Sequence, residues 1–514
     1  MMHSAETEVE LRARLWARLD AEPDSYAANR DVGLYCLGKR NLVLMGEEPL
    51  LAALRLGRLR DGEETRAILH GLGHINSLKG RHDLAERFYG LARDLMPTHP
   101  QYHFDIGDCR YYQGDPKGAS VHYARGLNIL EAKWRGACTL QGDNSGRRPL
   151  FPAPIVCRAY GEAASKLDVF ARAWGLGWIG GFRPVLLAPE AQVSNPELIR
   201  RWSGYAEVVS DPGAIAELER RFGGTECHLD YIPHPSGQVL HRDLALQSAQ
   251  VEWDRQGRPA VLELSEDEQR RGRDELSRLG LPRDAWFAAL HVRSAETYQE
   301  HVPWSQNKYR NAYLENYLPA IESVTARGGW VVRMGDRMMP PLPAMPRTLD
   351  LATHPAYTPW LDVFCLGACR FFFGQYSGPV EVSQLFHVPV VGTDWFPLGT
   401  WPRSGRNIFI PKRLRRIADG RCLSIAESLA PPRFRGHPPA IYEEFGLEIV
   451  DCSADEIREA VEEMLDRLDG RLAYMDEDER RMAQFRRLAD PYQVGLPARV
   501  GRRYLERHPE LIGE

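Results

Sequence analysis

The hydrophobic pattern changes character about a quarter of the way along the 514 residues. Over 66–131 it has the spacing of paired helices. Leu72-Gly73, Ala85, Tyr89, Ala92 and Pro97 recur 34 residues later as Ile106-Gly107, Ala119, Tyr123 and Gly126, with Glu131 in place of the closing Pro. Small residues at fixed offsets let two antiparallel helices approach, and the tyrosines fill the space between neighbouring hairpins. Gly80 and Gly114 fall where each first helix must turn. A weaker earlier pair lies in 25–58, around Leu37-Gly38. Two repeats are too few for a stable solenoid, so extra helices or the next domain must cover them.

Residues 139–154, TLQGDNSGRRPLFPAP, read as a linker by their Gly, Pro and polar content. Beyond them, short apolar runs alternate with amphipathic stretches. Pro154–Arg158 reads as a strand, Ala163 to Leu176 as a helix, and Arg183–Ala188 (RPVLLA) as a buried parallel strand. Asn195-Pro196-Glu197 is a capped helix start, and Ala206–Val209 a third strand. This order implies right-handed crossovers and a parallel sheet.

A second series runs from Trp286–Val292 through a helix from Ala312 to Arg327, closed by Gly328-Gly329. It continues with strands at Trp330–Met334, Arg370–Phe373 and Val388–Val391, and helices at Trp360–Gly367 and Val380–Phe386. The predicted fold class is α/β: two Rossmann-like domains, 150–275 and 280–470, after a helical module over 1–140 and before a helical tail over 471–514.

Composition narrows the picture. Hydrophobic residues make up 43% and charged residues 26%, ordinary for a globular chain. The net charge of −5 offers no basic excess for nucleic acid or a membrane surface. Met1 to Asp20 has no apolar signal core, and no run of about 18 apolar residues predicts a transmembrane segment. The nine cysteines are scattered without a C-x-x-C. Cys365 and Cys369 read as helix packing, and the set favours a cytoplasmic setting.

Ligands of parallel sheets sit at the carboxyl ends of the strands, so the strand ends carry the candidate chemistry. In the second series they present Arg293, then Gly335-Asp336, then Ser377-Gly378-Pro379. A Gly loop opening a helix offers free N–H groups and a positive dipole end, which suits a diphosphate. Ser377 adds a hydroxyl, and Pro379 forfeits no useful N–H. Arg293 can pair with phosphate oxygens and offset charge on a departing diphosphate; an inter-element salt bridge is its other reading. Asp336 is either an acceptor for a sugar hydroxyl or a turn cap. In the first series, Gly161 suits a tight turn. Glu162 is either a general base or a helix N-terminal charge. The tract His228–Asp243 reads as a solvated loop, or as a loop near an acceptor, and holds no known zinc spacing. Trp395–Trp401 with Arg403, Arg406 and Lys412 reads as a stacking and basic surface, or as a buried aromatic loop.

The span 286–430 resembles a group of bacterial glycosyltransferases, some fused to tetratricopeptide repeats, which the 66–131 pattern itself resembles. The likeness rests on HVR at 291–293, RNAYLENYLPAI at 310–321, GGWVVRMGD at 328–336, RFFFGQYSGP at 370–379 and VPVVGTDWFPLG at 388–399, with Glu427 in LSIAESL. It implies a GT-B arrangement with no metal and no cofactor beyond a nucleotide-sugar co-substrate. The donor would be held through Gly335, Asp336, Ser377, Gly378, Pro379, Lys412 and Glu427. Gly161, Tyr309, Arg310 and Asn311 would lie on the acceptor or loop side, and Glu162 and Arg293 would be catalytic. The HVR strand end is also similar to the His-x-Arg-Arg-x-Asp motif of fucosyltransferases, departing at Ser294 and Glu296. The implied activity is inverting transfer of a hexose or deoxyhexose to a glycan, carrier or protein, with the repeats engaging the acceptor. A nucleotide-sugar epimerase and a non-catalytic repeat scaffold are the rival readings.

Overall fold

The computed structural model describes residues 7–39, 42–57, 62–151, 157–294, 308–433, 436, 439–490 and 497–514. The chain opens with helices α1 (Glu8–Ala21), α2 (Tyr26–Leu37), α3 (Glu47–Leu56), α4 (Glu63–Leu78), α5 (His82–Leu95), α6 (Pro100–Tyr112) and α7 (Pro116–Gln141). The 34-residue spacing is a repeat in packing as well as in sequence. A Cβ at Gly73 would run into the Tyr89 ring, and one at Gly107 into the Tyr123 ring. Each glycine thus seats the tyrosine of its partner helix.

The first sheet is built from β1 (Arg147–Phe151), α8 (Tyr160–Gly175), β2 (Arg183–Leu187), α9 (Pro196–Arg201), β3 (Glu207–Val209), α10 (Pro212–Phe222) and β4 (Cys227–His228). Its order is β3-β2-β1-β4, with parallel pairing throughout. The Asn195 side chain caps α9 by accepting from Leu198 N at 3.0 Å, as its sequence position predicts. A hairpin of β5 (Tyr231–Pro233) and β6 (Val239–His241) then leads into α11 (Arg242–Arg255) and α12 (Glu266–Arg278).

The second sheet takes β7 (Phe287–His291), α13 (Leu318–Ala326), β8 (Trp330–Arg333), β9 (Thr348–Asp350), α14 (Pro359–Ala368), β10 (Phe371–Gly374), α15 (Gly378–Leu385), β11 (Val390–Trp395) and β12 (Ile408–Pro411). There follow β13 (Arg413–Arg416), α16 (Ile425–Leu429), α17 (Pro439–Glu444), β14 (Leu447–Val450), α18 (Ala454–Leu468), α19 (Asp476–Ala489), β15 (Arg499–Val500) and α20 (Arg502–Arg507). Among the described residues the order is β15-β12-β11-β10-β7-β8-β9, all parallel. The strands are near-continuous apolar runs because helices cover both faces. No described helix is long and apolar enough to cross a membrane.

Four expectations need correction. The segment read as a linker contains β1, which lies between β2 and β4 despite Pro149. Its Arg148 looks like a loop residue but is buried. The guanidinium donates to Thr225 O at 3.0 Å and Glu131 at 2.7 Å, and lies 5.0 Å from the Trp134 ring centre. Of the strand expected at Pro154–Arg158, residues 154–156 lie outside the described residues, and Cys157 and Arg158 are helical. The helix expected from Ala312 begins at Leu318, where Pro319 occupies its first turn and a 3-10 segment, Leu314–Tyr317, precedes it. The expected tail is part of the second sheet, because β15 pairs with β12.

The helical module is clamped to the β5–β6 hairpin. Tyr231 stacks on Phe104 and on Tyr123, each at 4.4 Å, and His241 stacks on Tyr111 at 4.5 Å. Tyr123 and Tyr231 both donate to Asp108, at 2.9 and 3.1 Å, and Val239 N donates to Ser120 Oγ at 2.8 Å. One hydrophobic core runs from Phe104 and Tyr123 through both sheets to Ile512. The last two helices of the module bury part of this core.

Candidate functional site

In both sheets the strand order reverses partway across. The reversal lies between β1 and β4 in the first and between β7 and β10 in the second. A crevice opens at such a switch point, beyond the carboxyl ends of the strands, and ligands collect there. Helix α8 follows β1 and helix α15 follows β10, and their first turns touch. A Cβ on Gly161 would lie 2.9 Å from Gly378 Cα, and one on Gly378 would lie 2.9 Å from Gly161 N. Backbone meets backbone, so neither position admits a side chain without moving a helix.

Two helix N-termini therefore converge. Neither is capped by its own side chain: Ala159 precedes α8, and Ser377 precedes α15 in extended backbone with no cap hydrogen bond. Ser377 is only 3% exposed, and its hydroxyl has no hydrogen-bond partner among the described residues. A buried hydroxyl without a partner is costly, on the order of 1–3 kcal/mol. Beside the uncapped N–H groups, it forms an acceptor-seeking pocket for an anion.

The second switch point is lined with cations. Arg293, just past β7, is buried; its N–H donates to Gln375 Oε1 at 2.9 Å and its guanidinium to Asn311 Oδ1. Arg310 lies 4.8 Å from the Tyr376 ring centre and donates to Tyr376 O at 2.9 Å. Lys412 binds Asn311 O at 2.8 Å and Asp451 at 2.6 Å. Arg293, Arg310, Asn311, Lys412, Ser377, Gly378 and Gly161 thus form one contiguous group. Tyr309 packs on Phe396, with ring centres 5.3 Å apart. His291, buried at the end of β7, is pushed down to about 4 by burial, so it is neutral.

The first switch point is built of paired charges. Asp230 receives Lys166 at 2.7 Å and Arg242 at 3.3 Å. Burial works to raise the Asp230 carboxyl, but Arg242 and Lys166 outweigh it and hold it well below the usual range. Arg242 also reaches Glu162 at 3.3 Å and Asp243 at 3.7 Å. The tract read as a solvated loop is instead the buried hairpin and the start of α11; His228 and His241 are both buried. Arg242 and Asp243 line a small pocket with Tyr376 and Trp401.

Behind the glycine contact, the two units share a cluster of buried charges. Asp168 and Arg172 on α8 pair at 2.8 Å, and Arg403 bridges Asp168 to Glu381 of α15. On the far side, Tyr160 of α8 faces Asp362 of α14, and burial raises that carboxyl to about 7.

Apart from Pro379, the remaining predicted residues sit away from this group. Gly335 follows β8 at φ +154°. Asp336 is exposed and accepts from Met338 N at 2.9 Å, which is the turn-cap role. Glu427 completes the capping box of α16 with Ser424 and pairs with Arg421 at 2.7 Å. The aromatic stretch after β11 is buried: Trp395 and Trp401 donate to backbone carbonyls of their own loop, and Arg403 is the buried bridge already described. Pro379 lies in the first turn of α15. Glu296 lies outside the described residues. Sequence reasoning passed over Gln375, Tyr376, Arg242 and Asp243. The adjacency of Gln375 and Tyr376 to Ser377 was a usable signal; the role of Arg242 was hidden in a His- and Asp-rich tract.

Two parallel sheets, each with a switch point, touch through α8 and α15 and make up a mixed α/β fold of two Rossmann-like units. Neither a protein-family model nor a curated protein matches the chain. Among solved structures, it is similar in part to a glycosyl transferase family 9 protein from Veillonella parvula, with 13% identity over 59% of this chain and 79% of that one, at a TM-score of 0.26.

Proposed function

We propose that the chain is a glycosyltransferase that moves a hexose or deoxyhexose from a nucleotide-sugar donor to a glycan, carrier or protein acceptor, with inversion. The observation that carries this reading is the meeting of two uncapped helix N-termini beside the unpartnered Ser377 hydroxyl. The donor diphosphate lies there, on Ser377, Gly378 and the first turn of α15, with Arg293 offsetting the charge that builds as the nucleotide departs. Lys412 and Asn311 hold the Arg293 side of the pocket. Glu162 takes the proton of the acceptor hydroxyl while that oxygen attacks the anomeric carbon; the bond to the diphosphate oxygen breaks as the new glycosidic bond forms. A second assignment of the base has a specific support: Asp243 lines the pocket beside Tyr376 and has Arg242 at 3.7 Å, whereas Glu162 has both Arg242 at 3.3 Å and Lys166 at 3.7 Å.

The test is a panel of nucleotide sugars incubated with the full chain, with thermal shift as the binding signal and product analysis as the activity signal. A raised melting temperature with one nucleotide family is expected, followed by slow donor hydrolysis without acceptor. An epimerised donor would replace the transfer reading with an epimerase. No shift with any donor would favour the scaffold.

A further inference from the structure

A cavity of about 360 Å³ lies on the second α/β unit, enclosed by residues 308–313, Lys412 and the α17–β14 segment. That volume is in the range of ligand pockets, about 300–1,000 Å³. The cavity adjoins the anion side of the candidate site. Asn311 lines it and accepts from the Arg293 guanidinium, and Ala312 lines it and donates its N–H to Arg293 O at 3.1 Å. One short stretch of chain thus touches Arg293 and walls the cavity.

Much of the lining is already engaged. The Tyr309 ring packs on Phe396 at 5.3 Å, and Tyr442 is buried against Phe396 and Phe445. Asp451 holds Lys412 at 2.6 Å, and Arg415 holds Glu448 at 2.7 Å. Three lining groups are left over. Tyr313 is 68% exposed, and its ring meets no other ring and no cation among the described residues. Glu443 and Lys308 are exposed and form no ion pair among the described residues.

A free aromatic face, a free carboxylate and a free ammonium set the chemistry of the occupant. A flat ring can stack on Tyr313. The carboxylate takes only donors, and the ammonium takes only acceptors. Glu443, Glu448 and Asp451 outnumber Lys308 and Lys412, so the cavity itself does not suit a phosphate. Guanine carries both edges: O6 and N7 accept, while N1–H and the N2 amino group donate side by side to one carboxylate. Uracil has a single N–H between two carbonyls, which a carboxylate repels. Adenine has no pair of adjacent donors on its ring edge.

We infer that this cavity holds the guanine base of the donor nucleotide, stacked on Tyr313, with Glu443 accepting from N1–H and the N2 amino group and Lys308 donating to O6 or N7. The inference rests on the glycosyltransferase reading, which puts the diphosphate at Ser377 with Arg293 beside it. Tyr313, Glu443 and Lys308 select the nucleotide and take no part in the bond that breaks.

Calorimetric titration of the full chain with GDP, ADP, UDP and guanosine tests it. GDP should bind at least about tenfold more tightly than ADP or UDP. Tyr313→Ala should weaken GDP binding about tenfold, in the range of a lost stacking contact. Glu443→Gln should cut the preference for GDP over ADP at least about fivefold. Both side chains are exposed, so both variants should melt as the native chain does. ADP or UDP binding as tightly as GDP overturns the inference and leaves the transfer reading standing. GDP binding that Tyr313→Ala leaves unchanged, or a preference that Glu443→Gln leaves unchanged, also overturns it. Guanosine binding as tightly as GDP does the reverse, for the base site then stands and the diphosphate site falls. No binding of any of the four overturns both.

Discussion

The two switch points face each other, yet they are built on opposite principles. In the first sheet, Glu162, Asp230 and Asp243 meet Arg242 and Lys166, so most charges are matched inside the protein. In the second, Lys412 is paired with Asp451, and Arg293 and Arg310 reach Asn311 and the Tyr376 carbonyl beside a helix start whose Ser377 hydroxyl has no partner among the described residues. A matched cluster fixes geometry and holds a carboxylate in place. A helix start with an orphan donor is a demand for an outside anion. The difference assigns a holding and proton-accepting role to one side and a diphosphate role to the other.

The contrast requires that the two sides stay in register, and the buried charges behind the glycine contact do that. Asp168→Asn breaks this cluster while Arg172 and Arg403 stay buried. It is expected to lose about 3–5 kcal/mol of stability, as for a buried pair stripped of one member. Chemical denaturation measures it; a loss under 1 kcal/mol would mean the units are held by packing alone.

Arg293→Ala probes the anion side. If the guanidinium offsets charge in the transition state, kcat/KM falls by about 2–4 kcal/mol equivalent, with little change in melting temperature. An unchanged turnover removes Arg293 from the chemistry.

The Tyr160–Asp362 contact gives a third, pH-dependent probe. Burial disfavours the charged form of the Asp362 carboxyl and raises it from its ordinary 3.8 to about 7 in the folded chain. Between those values the folded chain holds a proton that the unfolded chain has lost. That stabilising contribution is complete below pH 4 and is lost as pH rises through 7. Asp362→Asn should therefore leave stability near pH 4 almost unchanged and raise it at pH 8 by on the order of 2–4 kcal/mol. Equal effects at both values would contradict the assignment.

Much of the fold was legible because parallel strands announce themselves as apolar runs. RPVLLA became β2, and the stretch through Phe371–Phe373 became β10. β1 was missed because Arg147, Arg148 and Pro149 carry loop signals, and only the tertiary partners of Arg148 explain its burial. At the site, the strand-end rule led to Arg293, Gly161, Ser377 and Gly378, which the fold brings together. It also led to Asp336, which caps a turn, and the family resemblance led to Glu427, which caps a helix. A capping carboxylate and a ligand-binding one share the same local pattern, so spacing cannot separate them. The hairpin residues were hidden for another reason: their burial comes from the helical module, more than 100 residues earlier in the chain.

The central claim is that a diphosphate sits where α8 and α15 meet. Calorimetric titration of the full chain with UDP, GDP and their phosphate-free nucleosides tests it most directly, alongside Ser377→Ala. One nucleoside diphosphate should bind, its nucleoside should bind at least tenfold more weakly, and Ser377→Ala should lose about 1–2 kcal/mol of binding with the fold intact. Equal binding of nucleoside and nucleoside diphosphate, or a Ser377→Ala chain that binds as the native one does, would contradict it.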